Sequence, residues 1–181
     1  MFQRIRSKDS PQENIHRLYG VIVAQAREPS FYEDYRVPDT IEGRFDLIVL
    51  HVYLVSRRLA QAGEEAKAVA QGVFDLFFQD MDENMRELGV GDLSVPKKVR
   101  AMGEAFYGRA KAYDAALIDG SRERLAVALH RNVFAGDVGD ENAAARLARY
   151  VHSAGNRLAL LEMDQIVQGK TTFPHPEEIT P

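Results

Sequence analysis

The stretch IEGRFDLIVLHVYLVSRRLAQA, residues 41–62, is the feature that most constrains the fold of this chain. It carries two apolar stripes at helical spacing, one from Ile41 to Leu59 and a second from Leu47 to Leu54. A helix that is apolar nearly all round is buried on several sides. A transmembrane helix needs about 20 consecutive apolar residues, and charged residues flank a much shorter run here. We therefore predict a buried central helix at 41–62 and no transmembrane span.

Start and stop signals on both sides of this stretch predict further helices. Ser10 and Pro11 with Glu13 form a capping box, and Gly89 lies where a left-handed residue ends a helix. Apolar positions recur at helical spacing, and no useful length alternates with period two. The chain is therefore predicted to be all-α, a single bundle of about six helices. They are expected at about 11–27, 41–62, 64–88, 95–117, 121–136 and 140–168.

The limits of this helical pattern set the predicted domain boundaries. A chain of 181 residues is long enough to bury a core, and one all-α domain at 10–169 is expected. Residues 1–9 precede the first capping box and are predicted to be a flexible N-terminus. Residues 28–39 form a long connection whose aromatic residues are expected to pack on the bundle. Residues 170–181 are rich in proline with little to bury, so a disordered tail is predicted.

Composition and missing motifs exclude several classes of function. The chain has no cysteine, which excludes disulfides, thiolate catalysis and thiolate-bound zinc. A formal net charge of −4 gives no general reason to expect DNA as a partner. There is no G-x-S-x-G hydrolase signature, and Gly89-Val90-Gly91 lacks the third glycine of a dinucleotide loop. We expect no enzymatic activity and no cofactor.

His51 is the one strongly polar side chain in the run from Leu47 to Val55. A histidine in such a position is ordinarily neutral and hydrogen-bonded to a buried partner. The alternative is a haem or metal ligand, since a neutral imidazole also binds metals. That alternative predicts a cofactor-binding helical bundle anchored at His51.

Three cations at the start of a predicted helix break a local rule. Lys97, Lys98 and Arg100 lie in or near its first turn, where the helix macrodipole is already positive. Each such charge costs about 0.3–1 kcal/mol, and natural chains tend to break local rules at functional positions. The cluster indicates an acidic or phosphate-bearing partner, such as a ribosome, a lipid surface or an acidic loop. A tolerated surface cluster is the alternative.

Several segments carry a family resemblance. The run DMDENMRELGVGDLSVPKK, Asp80–Lys98, resembles the signature of the ubiquinol–cytochrome c chaperone family. Three shorter pieces are similar to the same family: Val37–Thr40, Gly43–Asp46 leading to Leu50-His51, and Phe106–Arg109 followed by Tyr113. Together these pieces span roughly residues 15–165.

This resemblance implies a non-enzymatic assembly factor for the cytochrome bc complex of the respiratory chain. It implies that the partner is newly made cytochrome b or its assembly intermediates, with a small partner protein and a ribosome as further candidates. A helical scaffold with another client is the alternative. Because the N-terminus has no apolar signal segment, a cytoplasmic location is expected, free or peripheral at the cytoplasmic face of the inner membrane.

The partner-binding residues are predicted within and near the segment with the strongest resemblance. Phe78, Met81 and Met85 are either an adaptable apolar surface beside it or part of the core. The predicted contact residues are Arg86, Glu87, Val90, Asp92, Val95, Pro96, Lys97, Lys98, Arg100 and Arg109.

Overall fold

The structure is a computed structural model that describes residues 10–135 and 141–179. No strand occurs in those ranges, and the prediction of an all-α chain is confirmed. The predicted flexible N-terminus at 1–9 lies outside the described residues. The helices are α1 Pro11–Ala26, α2 Ser30–Glu33, α3 Ile41–Leu59, α4 Glu64–Glu87, α5 Val95–Ile118, α6 Arg122–Val133, α7 Glu141–Leu160 and α8 Met163–Val167, followed by a 3₁₀ helix at Pro176–Glu178.

The third helix is the buried centre of the bundle, as predicted. Every residue from Asp46 to Val55 is buried, and α3 packs against α1, α4, α6 and α7. It ends at Leu59, somewhat before the predicted end, and Gly63 is the N-cap residue of α4. No helix in the part of the chain that the structure describes is long and apolar enough to cross a membrane.

The predicted helix at 140–168 is wrong because the structure divides it into α7 and α8. The Arg58 guanidinium donates from Nε to the carbonyl oxygen of Leu158, at 3.0 Å, and from Nη2 to that of Leu161, at 3.2 Å. These bonds satisfy carbonyls at the end of α7, which lets the chain turn there. The turn brings Ile166 into the core, and α8 packs against α1 and α4.

The prediction of a disordered tail is wrong for residues 170–179, which pack on the bundle. Phe173 and Pro176 are buried. The Pro174 carbonyl oxygen accepts a hydrogen bond from Gln25 Nε2, at 3.1 Å, and the Pro176 carbonyl oxygen accepts one from Tyr35 Oη, at 2.8 Å. Proline lacks an N–H but keeps its carbonyl, so a proline-rich segment is held through its acceptors.

Candidate partner-binding site

A sharp reversal of the chain between α4 and α5 gathers most of the predicted contact residues. We call residues 87–100 the α4–α5 corner. Gly89 has a φ of 78°. The Gly89 N–H donates to the carbonyl oxygen of Arg86, and the Val90 N–H donates to the carbonyl oxygen of Met85, both at 3.0 Å. This pair of bonds is a Schellman motif, so the predicted helix stop at Gly89 is confirmed.

Arg86 holds the loop of the corner in place. Its Nε lies 2.6 Å from Asp82 Oδ2 within α4, and its Nη1 lies 2.6 Å from Asp92 Oδ1 across the loop. Arg86 and Asp92 were both predicted to contact a partner. The structure instead pairs them with each other, so their charges are largely matched inside the chain.

Several residues of the predicted site are core. Val95 is fully buried, and the prediction that it contacts a partner is wrong for that reason. Met81 and Met85 are buried as well, so they belong to the core rather than to an adaptable surface. Phe78 is half-buried, with its ring centroid 4.7 Å from that of Phe74. The apolar surface of the corner is therefore supplied by other residues.

Leu88 and Leu93, which are not among the predicted contact residues, provide that surface. Leu88 is 62% exposed and Leu93 is 98% exposed, while Val90 between them is half-buried. Leu88 ends the predicted helix at 64–88, whose apolar side was expected to be buried, whereas in the structure it is the exposed C-cap residue of α4. Leu93 lies in the loop, outside any helical stripe. For Leu93 the available signal was its position between a helix stop and the next helix start, where no helix face can bury it.

The start of α5 concentrates positive charge. Lys97 and Lys98 are exposed, and neither has a carboxylate within ion-pair distance among the described residues. Arg100 Nε lies 3.2 Å from Glu104 Oε1 at an exposed site. The first turn of α5 contains no acidic residue and its N-cap side chain makes no hydrogen bond. The positive end of the helix and both ammonium groups are thus uncompensated.

Arg109 lies away from this corner and has an internal partner. Its Nη2 is 2.7 Å from Asp46 Oδ1, both side chains are largely buried, and its guanidinium lies 5.9 Å from the centroid of the Phe45 ring. Burial raises the pKa of the Asp46 carboxyl to about 7, and the Arg109 charge opposes this shift. Arg109 is therefore held by an internal ion pair, and its contact with a partner stays a prediction.

His51 is a buried, neutral histidine with both ring nitrogens hydrogen-bonded. Nδ1 donates to the Leu47 carbonyl oxygen, at 2.7 Å, so Nε2 accepts from Tyr150 Oη, at 2.8 Å. Burial lowers its pKa to about 4. Its ring also contacts Phe31 and Phe173, which brings the 28–39 connection and the C-terminal segment to α3. The ordinary explanation for His51 is confirmed.

A metal or haem iron at His51 would have to replace the bond from Tyr150. Within the described ranges, no three His, Asp or Glu side chains are grouped so that they could hold a metal ion. The geometry of His51 therefore fits a structural role in which it joins α3 to α7.

A helical bundle with an exposed apolar and basic corner, and with its central histidine fully bonded, has the features of a protein-binding module. A sequence model described as ubiquinol–cytochrome C chaperone matches residues 33–173. The match covers most of the chain, which therefore belongs to this family.

A solved structure and curated relatives agree with this assignment. The crystal structure of the Cbp3 homolog from Brucella abortus superposes with a TM-score of 0.87 and 34% sequence identity, over 94% of this chain and 93% of that one. The ubiquinol-cytochrome-c reductase complex assembly factor 1 of Xenopus laevis is 26% identical over 83% of this chain and 75% of its own length. The Drosophila melanogaster factor of that name is also 26% identical, and the match covers 60% of its length.

Proposed function

We propose that this chain is a non-catalytic assembly chaperone for ubiquinol–cytochrome c reductase, and that its client is cytochrome b. The observation that carries the proposal is the match to the Cbp3 homolog, which extends over 94% of this chain at 34% identity. The relatives in Xenopus and Drosophila are named as assembly factors of that reductase complex. Partner binding also accounts for exposed apolar side chains where the fold does not need them.

The α4–α5 corner is the proposed client site. A chaperone for a membrane protein needs apolar surface that is exposed before the client arrives. Leu88 and Leu93 provide such surface, and Lys97 and Lys98 beside them would attract acidic loops of the client. Glu87 and Pro96 are exposed at its rim. A small partner protein, a ribosome and the cytoplasmic face of the inner membrane are further proposed contacts.

Deletion of the gene tests this function. We expect the level of assembled cytochrome bc complex to fall, while the other respiratory complexes stay near their normal levels. The measurement is native gel electrophoresis of membranes with spectroscopy of the b-type haem. A deletion strain with an unchanged level of bc complex would refute the proposal.

Complementation then tests the corner. The double variant Leu88→Glu with Leu93→Glu is expected to fold normally, because both side chains are exposed, and to fail to restore the complex. Leu160→Glu is the matched control, since Leu160 is 84% exposed at the end of α7. If the double variant restored the bc complex as well as this control does, the α4–α5 corner would not be the client site.

A further inference from the structure

A cleft separate from the α4–α5 corner is lined by arginine. It has a volume of about 440 Å³ and lies between the segment after α2 and the first turns of α7. Arg36, Arg146 and Arg149 line it together with Asp34 and Asn142. This volume is within the range of small-ligand sites, which is about 300–1,000 Å³.

The charges that line the cleft are unbalanced. Three guanidinium groups and the single carboxylate of Asp34 leave a formal charge of two positive units. In the described chain, no carboxylate is within ion-pair distance of Arg36, Arg146 or Arg149. Arginine presents a planar fork of donors that matches carboxylate and phosphate oxygens. The lining therefore selects for an anion.

Two of these arginines hold donors that the fold leaves unused. The Nε atoms of Arg146 and Arg149 are buried and have no hydrogen-bond partner among the described residues. Arg146 is nevertheless fixed in position, because Nη1 donates to the Asp34 carbonyl oxygen, at 3.1 Å, and its guanidinium lies 4.5 Å from the centroid of the Tyr35 ring. A buried donor without a partner destabilises a fold, so these two Nε atoms call for an explanation.

Arg36 adds a third, independent observation. Its φ is 56°, and it is one of two non-glycine residues with positive φ in the described chain. Such a backbone is strained for an arginine, and strain of this kind concentrates at functional sites. Glycine would fit this backbone without strain, which indicates that the side chain of Arg36 is needed at the cleft.

We infer that this cleft binds a phosphate monoester. A phosphate monoester carries about −1.5 to −2 charges at neutral pH and matches the two positive charges of the lining, whereas one carboxylate would leave half of them unmatched. The phosphate would belong either to a soluble phosphate ester or to a lipid headgroup. The inference is independent of the client, because its residues lie outside the α4–α5 corner.

Binding of two probes tests this inference and distinguishes the sources. The first probe is glycerol 3-phosphate, measured by titration calorimetry against sodium chloride of equal ionic strength. The second is a vesicle of phosphatidylcholine with phosphatidic acid, measured by co-sedimentation against pure phosphatidylcholine. Binding of the soluble ester identifies a soluble ligand, and binding of the vesicle alone identifies a lipid headgroup. Binding of neither probe overturns the inference.

Arg36→Gly is the decisive variant, because it removes the guanidinium and relieves the backbone strain together. We expect its Tm without ligand to equal or exceed that of the original chain, and its affinity for the bound probe to fall at least tenfold. Arg149→Gln is expected to show a similar loss, while Arg131→Gln, an exposed arginine on α6, keeps the original affinity. Affinity of Arg36→Gly within twofold of the original chain would overturn the inference.

Discussion

Gly43 lies in the first turn of α3, directly against the carbonyl of Pro38, and an added β-carbon would overlap that oxygen. Next to it, Arg44 Nε lies 2.6 Å from Asp39 Oδ1. The short pieces that resemble the chaperone family thus contact one another. These residues of the family resemblance therefore shape the start of the central helix α3 rather than a partner-binding surface.

Gly43→Ala is expected to destabilise the chain by about 1–3 kcal/mol, because the new methyl group must displace backbone rather than a flexible side chain. The matched control is Gly20→Ala in α1, where a β-carbon meets nothing within 4 Å. That change is expected to stabilise by up to about 1 kcal/mol through helix propensity. Urea unfolding measures both, and an equal response of the two variants would contradict the close approach at Gly43.

Burial of His51 makes stability depend on pH. Its pKa is about 4 in the folded chain and about 6.5 when unfolded, so the unfolded state binds more protons between these values. The stabilisation by neutral His51 is complete above pH 6.5 and is lost as the pH falls to 4. Relative to His51→Gln, the original chain is expected to lose roughly 3 kcal/mol over this range.

Denaturant unfolding at several pH values measures this loss. Asp46 contributes a slope of the opposite sign, because burial raises its pKa and the folded chain then binds the extra proton. Asp46 is present in both proteins, so its contribution cancels in the difference. Parallel stability curves for the original chain and His51→Gln would show that His51 does not titrate as a buried group.

At the scale of whole elements, the parts predicted correctly are those with local signals. The start of α1 has its capping box, with Ser10 Oγ and Glu13 Oε2 each accepting a backbone N–H of the other residue. The division between α7 and α8 depends instead on Arg58, about 100 residues away along the chain. The packing of the C-terminal segment likewise depends on Gln25 and Tyr35. Such distant contacts leave no periodic pattern in the segment that receives them.

The C-terminal segment is expected to stabilise the bundle through Phe173. Phe173→Ala should cost about 3 kcal/mol, because it opens a cavity next to the His51 ring, 5.1 Å away between centroids. Glu177→Ala is the control, since Glu177 is exposed in the same segment. Thermal and urea unfolding measure the difference. If Phe173→Ala were as stable as the control, the segment would not be part of the core.

At the scale of the whole molecule, the site was only partly predictable. The cations of the α4–α5 corner were found because they break a helix rule that can be recognised in sequence. Val95 was predicted wrongly as a contact residue, since its burial depends on packing of α5 that sequence spacing does not show. Leu88 was not predicted as a contact residue, because the sequence places it on the apolar side of a helix and only the three-dimensional structure shows that it is exposed. Leu93 was predictable from its position in the loop between two helices.

Replacing Lys97 and Lys98 is expected to change stability and client binding in opposite directions. Lys97→Glu with Lys98→Glu replaces unfavourable charge at the start of α5 by favourable charge, so stability is expected to rise by about 0.3–1 kcal/mol per residue. Capture of cytochrome b is expected to fall, because the corner loses its attraction for acidic loops. Lys111→Glu, in the middle of α5, is the control. If the double variant captured cytochrome b normally, Lys97 and Lys98 would not be part of the client site, which would then consist of Leu88 and Leu93.

The central claim is that cytochrome b binds at the α4–α5 corner, and site-specific photo-crosslinking in growing cells tests it most directly. A photoreactive amino acid would be placed at position 93, with position 160 as the exposed control. Position 93 is expected to yield a crosslink to cytochrome b, and position 160 is expected to yield none. Crosslinks of equal yield at both positions, or none to cytochrome b at position 93, would contradict it.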